Sequence, residues 1–228
     1  MFRLNKEAKE IFIYGPIGEQ WMGRVDSGMV ISALDEMAGE DIRIRLNTPG
    51  GNVDEGIAIF NAIKRHEGSV TMVADSIAAS MGSYLLQASE RRVVASNAMV
   101  MIHDPWTIAL GNATELRKAA DMLEKYAARM VPDYASRSGK TDDEVKQIMS
   151  EETWYTGQEA IDAGWADELG EENKIMPETD GLEAIARKIP GSLFKHRDKL
   201  RAELDSKHQF PRLAMIQQKI KDLKEQSV

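Results

Sequence analysis

Cysteine is absent from the chain. That excludes disulfides, thiolate metal sites and a cysteine nucleophile. Histidine is scarce, with only His66, His103, His196 and His208, and no H-E-x-x-H pair is present, so a zinc enzyme is not expected. There is no G-x-G-x-x-G and no Walker lysine motif, which leaves no phosphate loop and no cofactor signature. No apolar run reaches the roughly 18 residues that a membrane span needs. The N-terminal MFRLNKEAKEIF lacks an apolar h-region, so no secretory signal is expected and the expected location is the cytoplasm. A G-x-S-x-G nucleophile elbow is also missing.

The 228 residues, 43% apolar and 29% charged, describe an ordinary globular protein with room for one domain and an appendage. The net charge of −8 is unevenly spread, because residues 185–228 hold 11 basic against 5 acidic side chains. An acidic body with a basic tail is open to tail–body docking, an acidic partner or a solvated helix, and the body does not look like a nucleic-acid binder. The expected division is a body over 1–170 and a basic helical tail over 171–228, entered through the polar, proline-bearing EENKIMPETDG. In that tail Leu213, Ile216, Ile220 and Leu223 form a short two-heptad seam, too short to be a stable helix in water on its own.

The body alternates two periods. EIFIYG (10–15), IRIRL (42–46), SVTMVAD (69–75), RRVVA (91–95) and AMVMIH (98–103) predict strands. Residues 27–38 and the stripe Val53, Ile57, Phe60 and Ile63 predict helices, as does AASMGSYLLQAS (78–89). Repeated strand–loop–helix units predict an α/β fold with parallel pairing. Three capping signatures follow, at Asn112-x-x-Glu115, Thr141-x-x-Glu144 and Thr156-x-x-Glu159. The first opens a long helix with the stripe Leu116, Ala120, Leu123, Ala127, Met130 and Tyr134, interrupted by Pro132. Gly164 is the expected stop of the last helix.

Three places in this pattern can carry chemistry. Ser80 falls where a strand gives way to a helix, and Met81 there offers a free backbone N–H. His103 ends an apolar strand, and Gly50-Gly51 follows IRIRL at another strand end. Each has an ordinary structural explanation alone: a helix cap, a locally bonded imidazole, a tight turn.

Together they carry a family resemblance. LNTPGG (46–51), AASMGS (78–83), MIHDP (101–105) and WYTGQEAIDAGWAD (154–167) resemble, in order, the I-N-S-P-G-G, A-S-M-G-A, M-I-H-Q-P and F-L-S-A-P-E-A-x-x-x-G-L-x-D segments of the Clp protease proteolytic subunit family. The resemblance spans residues 42–168 and implies a crotonase-like α/β fold with a protruding helical handle. It further implies Ser80 as nucleophile, His103 as general base and then acid, and the Gly51 and Met81 N–H groups as the oxyanion hole. The third catalytic position falls on Glu152, with neighbouring Glu151 as the alternative register. The long helix matches the handle, so a ring-forming homo-oligomer of six or seven subunits per ring is expected, acting on protein substrates with no metal or cofactor.

Departures from the pattern favour one branch. The short segment before the first strand, the glutamate at the third position and the extended basic tail resemble phage head maturation (prohead) proteases, which cleave scaffold and capsid proteins without an unfoldase. GPIGEQWMGRVDSG, with Trp21, has no counterpart. The alternatives are an ATPase-dependent Clp subunit, an acyl-CoA enzyme of the crotonase fold, and an inactive scaffold protein. The Ser80, His103 and Glu152 set argues against the acyl-CoA enzyme, and intact Ser80 and His103 argue against the inactive scaffold.

Overall fold

The computed structural model describes residues 1–19 and 23–170. The segment around Trp21 and the helical tail expected over 171–228 lie outside the described residues. An eight-stranded sheet organises the body. β1 (Phe2–Asn5) pairs antiparallel with β2 (Glu10–Tyr14). β2, β3 (Ile42–Thr48), β4 (Val70–Ala79), β5 (Arg91–Ala95) and β8 (Glu168–Gly170) then follow in parallel order.

β4 is the hinge of the architecture. Its first half pairs with β5, and its last three residues pair in parallel with β6 (Met99–Ile102). β6 in turn pairs antiparallel with β7 (Thr153–Thr156). The strand is longer than its apolar run implies. Ala78 and Ala79 favour helix intrinsically, yet they are strand here because they pair with Val100 and Met101. Likewise β1, β7 and β8, at four, four and three residues, are too short to show a period.

The alternation in IRIRL is realised side by side. Ile42, Ile44 and Leu46 are buried in a core with Val30 and Leu34 of α1 (Ser27–Asp35) and Ile59, Phe60 and Ile63 of α2 (Val53–Arg65). On the opposite face, Arg45 Nε donates to the buried Asp75 at 2.8 Å, and the Tyr14 hydroxyl donates to the same carboxylate at 2.6 Å. α2 is well begun and well ended. The Asn52 side chain accepts from Glu55 N, acidic residues fill its first turn, and Lys64 and Arg65 its last, all favourable to the helix dipole.

The three capping signatures open α4 (Ala113–Ser138), α5 (Asp142–Glu151) and α6 (Gly157–Asp162), each as a reciprocal capping box. α4 runs through Pro132 for 26 residues, roughly 39 Å at 1.5 Å per residue. Only its C-terminal part docks on the body, where Met130, Val131, Tyr134 and Ala135 are buried. Toward its start Leu116 and Met122 are 45% and 51% exposed. Of the predicted stripe, Leu116 and Ala120 are exposed, Leu123 and Ala127 are half-buried, and Met130 and Tyr134 are buried. An aromatic row of Phe60, Tyr84, Tyr134 and Trp165 ties α2, α3 (Met81–Leu86) and α4 to the turn after α6, with ring centroids 4.5, 5.6 and 5.8 Å apart.

Candidate functional site

The C-terminal ends of β3, β4 and β6 meet, and each delivers one predicted site element. Ser80 occupies the single residue between β4 and α3. Its φ of 55° and ψ of −121° form a conformation that a non-glycine residue rarely adopts. Ser80 N donates to Met101 O at 2.9 Å and Ser80 O accepts from Tyr84 N at 3.1 Å, so the turn is pinned from both sides. This sharp strand–serine–helix turn is an elbow geometry, reached without the usual first glycine. The G-x-S-x-G motif is missing from the sequence, yet the backbone makes the turn that motif usually makes. The signal was legible as small-x-Ser-x-Gly: Ala78 is fully buried, and a Cβ on Gly82 would lie 2.7 Å from Thr48 Cγ2.

Gly50 lies against that elbow, and Gly51 follows it. A Cβ on Gly50 would meet Ala79 O and Ser80 Cβ at 2.7 Å and Met81 N at 2.8 Å, and its φ is 89°. A Cβ on Gly51 would fall 2.0 Å from Ile17 O. Ile17 fixes the loop by donating to Gly50 O at 2.9 Å and accepting from Asn52 N at 3.0 Å. Neither the Gly51 nor the Met81 N–H has an acceptor among the described residues. Two backbone donors beside one serine are what a developing oxyanion requires.

His103 follows the last residue of β6 and points its Nε2 at Ser80 Oγ, 2.8 Å away. Its other ring nitrogen, Nδ1, lies 3.9 Å from Glu152 Oε2. The β6–β7 register explains that pairing. Ile102 is opposite Thr153, so the next antiparallel position sets His103 against Glu152. Glu152 caps α5 in the left-handed region, at φ 52°, and is buried. Glu151 is exposed and accepts from Gln147 Nε2 at 3.0 Å. The structure thus brings Glu152, not Glu151, to the imidazole. At 3.9 Å the contact is longer than a hydrogen bond and becomes an ion pair only when the ring is protonated; hydrogen bonds within catalytic sites are often long in the unliganded enzyme.

Burial pushes the His103 pKa down from 6.5 to about 4. The ring is therefore neutral at pH 7, the form in which it can take a proton. The acid limb of kcat/KM on a small peptide is expected below pH 6.5; a limb above 6.5 would mean that the Glu152 carboxylate outweighs burial. The same shift has a stability sign. Between pH 6.5 and about 4 the unfolded chain binds the proton first, so His103 lowers stability as pH falls through that window.

A hydroxyl on a strained turn, a half-buried neutral imidazole bonded to it, a carboxylate behind the ring and two open N–H groups make the layout of a serine hydrolase on a sheet of parallel β-α units. Comparison with known proteins narrows this class. The Clp protease family matches residues 1–173. The chain is 32% identical to ATP-dependent Clp protease proteolytic subunit 1 of Leifsonia xyli subsp. xyli, over 74% of this chain and 86% of that protein. It is also 32% identical to ATP-dependent Clp protease proteolytic subunit 3 of Rhizobium johnstonii, over 69% of this chain and 81% of that one. The chain belongs to the Clp protease family, a family of serine peptidases. Among the described residues no helix is long and apolar enough to cross a membrane, and no cluster of three or more His, Cys, Asp or Glu could hold a metal ion.

Proposed function

We propose that the chain is a serine endopeptidase that cleaves protein substrates through an acyl-enzyme on Ser80. The observation that carries the reading is the 2.8 Å contact from His103 Nε2 to the hydroxyl of a serine held at φ 55°. In the first step Ser80 Oγ attacks the scissile carbonyl carbon and its proton passes to His103 Nε2. The carbonyl oxygen becomes an oxyanion facing the Gly51 and Met81 N–H groups. His103 then gives the proton to the leaving amine, the C–N bond breaks and the acyl group stays on Ser80. Water, deprotonated by His103, attacks the ester; the bond between the acyl carbon and Ser80 Oγ breaks, His103 returns the proton to Ser80 Oγ, and the acid is released. Glu152 keeps the ring in the tautomer with its proton on Nδ1 and stabilises the imidazolium in both halves.

The assembly in this reading is a homo-oligomeric ring of six or seven subunits, and the exposed Leu116 and Met122 of α4 are the apolar surface that a second copy would cover. Within the family we assign the chain to the phage prohead branch. The glutamate in the third position and the basic residues of 185–228 support this. The names of the two relatives favour a second reading, the ATPase-dependent proteolytic subunit. Degradation of casein with and without a Clp unfoldase and ATP separates them. The prohead assignment expects no stimulation; a several-fold ATP-dependent stimulation would replace it with the second reading.

A further inference from the structure

Tyr134 and Ser83 lie outside the set of groups that touch a substrate in the reaction above, yet they reach the nucleophile's own carbonyl. Ser83 Oγ donates to Ser80 O at 2.7 Å, and the Tyr134 hydroxyl lies 2.9 Å from Ser83 Oγ. The direction of the chain is settled by elimination. A carbonyl only accepts, so the single Ser83 hydrogen goes to Ser80 O, and Tyr134 must be the donor to Ser83. Ser83 and Tyr134 are 0% and 1% exposed, so water does not replace either bond. Burial also raises the Tyr134 pKa, which keeps its hydroxyl protonated and donating.

A serine bonding back to the carbonyl three residues earlier is common near a helix start. The second bond is what distinguishes this one. Tyr134 belongs to α4, and its ring is fixed between Tyr84 and Trp165. It therefore holds the Ser83 rotamer from a different helix. A parallel tie runs beside it, from the Tyr84 hydroxyl to Asp133 of the same helix.

The consequence follows from peptide planarity. The Ser80 carbonyl and the Met81 N–H belong to one trans peptide unit and point in opposite directions. Whatever fixes the carbonyl fixes the N–H. At φ 55° and ψ −121° the unit is in a sparsely populated state, from which rotation would withdraw the donor. We infer that Tyr134 and Ser83 form a positioning relay, Tyr134 O–H to Ser83 O–H to Ser80 O, that aims the Met81 N–H at the oxyanion and couples α4 to the catalytic turn. This rests on the assignment of Ser80 as nucleophile and of Met81 N–H as an oxyanion donor.

The test uses Tyr134→Phe, which keeps the ring, Ser83→Ala, and the double variant, each in the full chain. Kinetics on a peptide substrate are read beside inhibition by a peptide aldehyde, whose hemiacetal places an oxyanion in the hole. Removing a whole oxyanion donor costs about 10²–10³-fold in kcat; misaiming one is expected to cost about tenfold in Tyr134→Phe, and more in Ser83→Ala. Aldehyde affinity should weaken by a similar factor while KM stays within about twofold. The double variant should be no worse than Ser83→Ala, because the two act in series. Tyr126→Phe is the control. Its hydroxyl ties α4 to Asp54 at 2.7 Å without reaching the elbow, so kcat and aldehyde affinity should not change. Wild-type kcat and aldehyde affinity in folded Tyr134→Phe and Ser83→Ala would overturn the relay; if Ser83→Ala does not fold, Tyr134→Phe decides alone. Failure of the underlying assignment is read separately, as fluorophosphonate labelling that persists in Ser80→Ala.

Discussion

Ser80→Ala is expected to lose peptide hydrolysis on the order of 10⁶-fold in kcat, the scale at which a serine protease loses its nucleophile. The substitution removes one oxygen and leaves the backbone bonds of the elbow, Ser80 N to Met101 O and Tyr84 N to Ser80 O, in place. Alanine and serine bear a similar strain at φ 55°, so melting temperature and assembly should stay close to wild type. KM, or substrate Kd where turnover is too slow to measure, should change little. The oxyanion donors and the substrate cleft remain, so slow turnover above the uncatalysed rate is part of the expectation. Activity within tenfold of wild type would remove Ser80 from the mechanism.

Glu152→Gln carries the second large effect. Glutamine fits the same space beside His103 Nδ1 but can present an N–H to it, which favours the tautomer with the proton on Nε2. That tautomer cannot accept the Ser80 proton. An equivalent carboxylate-to-amide change in a serine protease lowers kcat about 10⁴-fold, and a loss of that order is expected here. Glu151→Gln is the matched control. Its side chain is exposed and bonded to Gln147, so its kcat should stay within about twofold of wild type. Parallel stopped assays of the two variants at pH 7 decide the point. Loss in Glu151→Gln with retention in Glu152→Gln would contradict the His103–Glu152 geometry.

The parts of this site legible in the sequence are those with a local cause. β2, β3, β5 and β6 announce themselves by alternating or continuous apolar runs, and α4, α5 and α6 by a cap three residues before a glutamate. His103 at a strand end and the Gly50-Gly51 break needed no tertiary information. Other features depend on partners far along the chain. β7 has no period of its own and is defined by pairing with β6, and that register sets Glu152 rather than Glu151 against His103. Ala78 and Ala79 are strand because β6 lies beside them, against their own preference for helix. The positive φ of Ser80 has no propensity signal in serine and follows from that same strand continuing up to it. Tyr134 reads in the sequence as the last apolar position of a helical stripe. Its hydroxyl acquires a role only because α4 packs it against Ser83.

In this mechanism the hydroxyl of Ser80, activated by His103, is the nucleophile. Peptide mapping by mass spectrometry of the wild-type protein after reaction with a fluorophosphonate tests it most directly. The predicted result is one phosphonate per chain, on Ser80, and none on the protein carrying His103→Ala under the same conditions. A modified protein whose phosphonate maps to another serine, with Ser80 recovered unmodified, would contradict it.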